Sequence, residues 1–377
     1  MNSKKLVLIL ICLFVEVGVI NSQAPIKRQG QQSGQTRHSH TYSNQNKKQT
    51  KTQARKESQS LGADHAPDVA WSPNGHSNVW EVVEAGKHFY EEGNYEEAVK
   101  RHRWAAEQGY PYAYFLLGLC YERGHGVGRD YNEAFGLFRK AAEADVAEAQ
   151  CCLGIYYYSG TGVDQDYNEA VKWYRKAVEQ GFEYACFYLG ICYEAGNGVS
   201  QDYVEALRWF RKAAEGGVVD AQCRLGQYYE CGAGVDENYE EAVKWYRKAV
   251  EQGNGYAYFC LGGCYEWGHG VDKDYNEAVK WYCKAVEKDV ADAQCRLGTC
   301  YYMGRGVKQD YQEAVKLYLK SADQEFAESY YLLGMCYELG KGVSQNLSEA
   351  ARWYRKGANE GDVSAINKLK ELEDRGY

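Results

Sequence analysis

The chain has 377 residues, 45 % hydrophobic and 25 % charged, with a formal net charge of −8 and 14 cysteines. That size and apolar content suffice for a folded core. The acidic balance argues against a nucleic-acid partner, whose phosphates demand a basic face.

In chain order, Met1 to about Ala24 reads as a secretory signal peptide: Lys4 and Lys5 precede the apolar run Leu6–Phe14, and Ser22-Gln23-Ala24 offers small residues for cleavage. Glu16 interrupts the run, which is too short and too polar for a membrane anchor, so no span is expected after cleavage. Residues 25–78 are rich in Gln, Ser and Lys and poor in large aliphatic side chains. Such a stretch cannot offset its ordering entropy and is predicted to be a disordered linker. It carries Lys27, Arg28, Arg37, Lys47, Lys48, Lys51, Arg55 and Lys56 against Glu57, Asp64 and Asp68, so a basic segment precedes an acidic array.

The array keeps a 36-residue beat, marked by Leu117-Gly118, Leu153-Gly154, Leu189-Gly190, Leu225-Gly226, Leu261-Gly262, Leu297-Gly298 and Leu333-Gly334. A strict period of this length predicts a solenoid of units too small to fold alone. Within one unit, Ala149–Tyr158 is predicted as a first helix, with Ala149, Leu153, Gly154 and Tyr157 on one face. Gly160-Thr161-Gly162-Val163 is the loop. Asp166 is the expected N-cap of a second helix from Tyr167 to about Glu179, with Glu169 completing a near capping box and Ala170, Trp173, Tyr174 and Ala177 buried.

The pattern Ala149-x3-Leu153-Gly154-x2-Tyr157-x2-Gly160-x-Gly162-Val163-x2-Asp166-Tyr167-x2-Ala170-x2-Trp173-Tyr174-x-Lys176-Ala177 closely resembles the Sel-one-like repeat (SLR) family, related to tetratricopeptide repeats. The resemblance implies an all-α, right-handed α/α superhelical solenoid. The expected organisation is a signal peptide (1–24), the basic linker (25–78), a shortened tetratricopeptide-like first repeat (79–110), seven 36-residue repeats (111–361) and a C-terminal capping helix (362–377).

The cysteines add a second period. Cys120 with Cys151, Cys192 with Cys223, and Cys264 with Cys295 are each 31 apart, and the intervening junctions hold Tyr156 with Phe187 and Tyr228 with Phe259. Positions that switch together between sulfur and ring are expected to touch, which in an oxidising compartment predicts three disulfide staples. The alternative is a set of small buried hydrophobes copied by duplication of a two-unit block.

Catalytic patterns are lacking: the chain has no G-x-S-x-G, Walker loop, H-E-x-x-H or S-x-x-K. Some relatives are described as penicillin-binding or β-lactamase-like, yet that activity has no S-x-x-K nucleophile to stand on here. No enzyme activity, cofactor or metal site is therefore expected. A free partner-binding face is expected where the first helices end: Glu122, Tyr158, Glu194, Glu230, Glu266, Tyr302 and Glu338 in one column, with Trp267 and Met303 in the next. By analogy with tetratricopeptide arrays this is a concave groove with an acidic ribbon. It would suit a basic protein or peptide segment, the chain's own basic tail included. The expected role is an exported interaction scaffold in the medium or periplasm, with the endoplasmic reticulum lumen as the alternative compartment. The rival roles are a penicillin-interacting enzyme and an envelope-tethered structural protein.

Overall fold

The computed structural model describes residues 78–377; the expected signal peptide and the basic linker up to residue 77 lie outside them. Among the described residues there are seventeen α-helices and no strand. They divide into two compact units, residues 78–218 and residues 219–377.

The first unit holds α1 (Val79–Glu91), α2 (Tyr95–Glu107), α3 (Pro111–Arg123), α4 (Tyr131–Glu143), α5 (Ala147–Ser159), α6 (Tyr167–Glu179), α7 (Glu183–Ala195) and α8 (Tyr203–Glu215). The second holds α9 (Val219–Cys231), α10 (Tyr239–Glu251), α11 (Gly255–Trp267), α12 (Tyr275–Glu287), α13 (Ala291–Met303), α14 (Tyr311–Asp323), α15 (Ala327–Leu339), α16 (Leu347–Asn359) and α17 (Val363–Glu373). In both, consecutive helices pack in pairs, as a solenoid of helix–turn–helix units requires. The first helix of the unit analysed from sequence starts two residues earlier than expected, at Ala147, while α6 begins at the expected Tyr167. Asp166 caps α6, accepting from the backbone N–H groups of Asn168 and Glu169 at 2.9 and 3.1 Å.

The Leu-Gly glycines have a steric cause. A Cβ added at Gly118 would lie 2.7 Å from Cε1 of Phe138, and the equivalent glycines press on Tyr174, Phe210, Tyr246, Tyr282, Tyr318 and Tyr354 in the same way. One ring per second helix thus packs against a bare stretch of the first helix, and the ring is fully buried. In the loop, Gly162 has φ +66°, and a Cβ there would lie 2.5 Å from the carbonyl oxygen of Tyr131. The loop therefore closes on the start of the preceding second helix, an approach and a backbone angle that only glycine accepts freely.

The ring column also accounts for the alternating cysteines. Phe138 contacts Phe115 of its own first helix at 6.0 Å between centroids and Tyr156 of the next at 5.4 Å. Around Tyr318 the corresponding places hold Cys295 and Cys336, in one buried cluster with it. Around Tyr174 they are Cys151 and Cys192; burial, then these two thiols, hold its hydroxyl well above the ordinary range. Two rings beside Phe138 and two thiols beside Tyr174 or Tyr318 each suit the local volume, whereas Tyr282 takes one of each, Phe259 and Cys300. Cys151 thus shares a ring with Cys192. The thirteen described cysteines stand as free thiols in this structure, and the three expected disulfides are not seen in it. Trp173 also departs from expectation, half-buried under the Lys176 ammonium, 4.1 Å from the ring centroid, instead of lying in the core.

Candidate functional site

Each of the first helices α3, α5, α7, α11, α13 and α15 stops at a glycine in the left-handed region, such as Gly268 after α11 with φ 76°. The column just before the last residue of each first helix holds the expected partner-binding glutamates and tyrosines. Four of its five carboxylates accept a hydroxyl from a buried tyrosine. Tyr246 donates its hydroxyl to Glu230 at 2.8 Å, Tyr282 to Glu266 at 2.6 Å, and Tyr354 to Glu338 at 2.7 Å. Each donor is the buried ring of the same repeat, sixteen residues on. Where that ring is Phe138, which has no hydroxyl, Tyr156 of the next repeat donates to Glu122 at 3.0 Å. Burial pushes the Glu122 carboxyl up to about 8, against the opposing pull of that hydrogen bond and of Arg123 and Arg129. Glu266 is 4 % exposed, and Glu338 also accepts from Lys368 at 3.4 Å.

The tyrosines of the column are engaged as well. Tyr158 accepts from Asn197 at 2.9 Å and meets Tyr167 edge-on at 5.1 Å, and Tyr302 meets Tyr311 edge-on at 5.0 Å. Glu194 is half-buried at the end of α7. The expected acidic ribbon is thus in large part a set of acceptors for core hydroxyls, because a buried tyrosine needs a partner for its O–H.

The next column behaves differently. Trp267, Met303 and Leu339, at one register in α11, α13 and α15, are 54, 52 and 53 % exposed. All three belong to the unit from residue 219 onward. In the other unit the same register holds Arg123, Ser159 and Ala195.

A third column, two residues further on in the loop, carries the residues that sequence reasoning passed over. His269 stacks on Tyr239 at 4.2 Å between centroids, Arg305 lies over Tyr275 at 5.7 Å, and Lys341 over Tyr311 at 4.8 Å. Each stands on the tyrosine that opens the second helix of the preceding repeat, so the stacking fixes a cationic or imidazole group beside the apolar row. The signal was available in the sequence, since His125 and His269 share this column. Among the described residues no group of three or more His, Cys, Asp and Glu could hold a metal ion, and no helix is long and apolar enough to cross a membrane.

Seven copies of the Sel1 repeat match residues 111–146, 147–182, 183–218, 219–254, 255–290, 291–326 and 327–362. The chain belongs to the Sel1 repeat family. Each matched Sel1 repeat coincides with one helix pair, from α3–α4 to α15–α16. Among solved structures, this Sel1 repeat chain is similar to a protective antigen of uropathogenic Escherichia coli strains displaying an SLR fold. The identity is 36 % and the TM-score 0.64; the match covers 79 % of this chain and spans only 65 % of the antigen. It is also similar to a Sel1 repeat protein from Oxalobacter formigenes at 34 % identity and TM-score 0.60, over 65 % of this chain and 96 % of that one. The APC/C hetero-tetramer Cut9-Hcn1 shares the fold at 16 % identity and TM-score 0.50, over 77 % of this chain and 55 % of that chain. A comparison with curated proteins finds no match. Sel1 repeat solenoids are a protein–protein interaction scaffold type.

Proposed function

We propose that this chain is an exported interaction scaffold that holds a segment of another protein along the edge where the first helices of its repeats end. The observation that carries the reading is the row Trp267, Met303 and Leu339, three large apolar side chains each more than half exposed at one register of consecutive repeats. Water-exposed apolar side chains scattered singly need no explanation, but an aligned row marks an interaction surface. The regular repeat supplies a rigid backbone on which a partner meets similar contacts at each step. Export rests on the signal-like segment before residue 25, and the concave placement of the edge on the tetratricopeptide analogy.

The test is site-specific photo-crosslinking in producing cells, with a benzophenone side chain placed at Met303 or at Lys316 of α14. A discrete protein adduct from position 303, lost when Trp267→Ala is added and not formed from position 316, supports the scaffold reading. Identical adduct patterns from the two positions would sink it. Export is checked separately by the mass of the mature chain: an N-terminus near residue 25 is expected, and an intact Met1 in the recovered protein would refute it.

A further inference from the structure

We infer that the segment held on this edge is acidic as well as apolar, the opposite of what the overall charge of the array suggests. The inference rests on the scaffold reading above and gives it a partner chemistry. Three columns run side by side along the repeats from residue 255 onward, and two of them decide the charge that a docked chain would meet.

The inner column is engaged. Glu266 and Glu338 accept the hydroxyls of Tyr282 and Tyr354, and Glu338 is further bridged by Lys368. Glu266 is 4 % exposed and the charge of Glu338 is met by Lys368, so the column offers a docked chain little free carboxylate. In the outer column His269 lies 3.9 Å from Glu230, whereas the two permanent cations stand differently. Arg305 and Lys341 form no ion pair among the described residues, and each is held in place by a tyrosine face, at 5.7 and 4.8 Å. His269 occupies the same place one repeat earlier, stacked on Tyr239. A cation parked on an aromatic face keeps its full charge and remains a donor, so a carboxylate reaching it meets a pre-positioned partner.

A histidine stands in the loop column both beside Arg123 and beside Trp267, and at the other positions the two columns change together. Within residues 111–218 the sixth position after the Leu holds Arg123, Ser159 and Ala195, and the loop position holds His125, Thr161 and Asn197. From residue 255 the same positions hold Trp267, Met303 and Leu339 beside His269, Arg305 and Lys341. Neither set is needed for packing, since both stand outside the core. Three apolar anchors in successive repeats, with a fixed cation beside the second and the third, read as one surface. Its complement is a protein segment with aliphatic or aromatic anchors and carboxylates between them. The basic tail of the chain itself carries the wrong sign for this edge.

The experiment pans a phage library of random peptides of about 16 residues, a length that spans several solenoid repeats, against the whole mature chain. Enriched peptides are synthesised and titrated by fluorescence anisotropy against the wild type, Arg305→Glu/Lys341→Glu and Trp267→Ala/Met303→Ala. All four substituted positions are surface sites, and circular dichroism verifies that the helices persist. The expected result is enrichment of net-negative peptides with at least two large apolar residues. Their affinity should fall about tenfold or more in the charge-reversed variant and weaken as salt rises. Enrichment of basic peptides, or equal affinity for the charge-reversed variant, would overturn the acidic assignment while leaving the scaffold reading standing, provided that Trp267→Ala/Met303→Ala still loses binding. If no peptide depends on Trp267 and Met303, both fail.

Discussion

The hydroxyl of Tyr282 donates to the carboxylate of Glu266 across 2.6 Å, joining the second helix of one repeat to the end of its first. The same bond recurs between Tyr246 and Glu230 and between Tyr354 and Glu338. It sets the orientation of the helix end that presents Trp267, the residue next to Glu266.

Removing the donor should therefore be costly. Tyr282→Phe leaves a carboxylate that is 4 % exposed without its hydroxyl, at an expected cost of about 1–3 kcal/mol. Glu266→Met on that background should recover much of the loss, because both polar partners are then gone. Urea midpoints of the two variants check this, and a Tyr282→Phe protein as stable as the wild type would exclude the role given to the bond.

The glycine of the Leu-Gly pair should be irreplaceable where another helical glycine is not. Gly118→Ala places a methyl 2.7 Å from the Phe138 ring and is expected to destabilise by about 1–3 kcal/mol. Gly136→Ala, in α4 with no atom within 4 Å of the new Cβ, is expected to stabilise by about 0.5–1 kcal/mol. Thermal melts of the pair measure both, and equal shifts would refute the packing account.

Glu122 should make stability fall with rising pH. Its folded pKa of about 8 lies above the ordinary 4.5, chiefly through burial, so the folded chain holds a proton that the unfolded chain has released. The stabilising effect is complete below about pH 4.5 and disappears as pH climbs through about 8. Relative to Glu122→Gln, the wild type should lose urea resistance between pH 5 and pH 9. A difference between the two proteins that stays constant over that range contradicts the assignment.

Thiol reactivity should follow burial. Cys151, Cys223 and Cys295 are buried, and burial foremost holds their thiols well above the ordinary range, whereas Cys231 and Cys283 are only half-buried. Burial pushes Cys231 up to about 11, so its alkylation is slowed but not blocked. Mass-spectrometric mapping after brief native alkylation should find Cys231 and Cys283 modified first and the buried set only after unfolding. Uniform labelling would show that the core opens more readily than its packing implies.

The helix pairing, the loop glycines, the Asp166 cap and the start of α6 were legible in the sequence, because each is a short-range effect repeated seven times. A 36-residue period shows which positions are invariant, and steric exclusion at Gly118 or Gly162 leaves a mark in every copy. The fate of the variable columns was not legible. Glu230 and Glu266 look like a free acidic edge until Tyr246 and Tyr282, sixteen residues away, are brought against them. Cys120 and Cys151 look like partners by spacing, yet Cys151 and Cys192 are the two that share the Tyr174 ring.

By itself, then, the sequence determined the repeat, its helices and its turns, since backbone preference and glycine sterics act within a few residues. Only the tertiary structure decided which charges reach water. A carboxylate and a tyrosine hydroxyl give no sign of each other along the chain, and their hydrogen bond exists only once two helices have packed. That packing ties Glu122, Glu230, Glu266 and Glu338 to core hydroxyls and leaves Trp267, Met303 and Leu339, with Arg305 and Lys341 beside them, as the exposed edge.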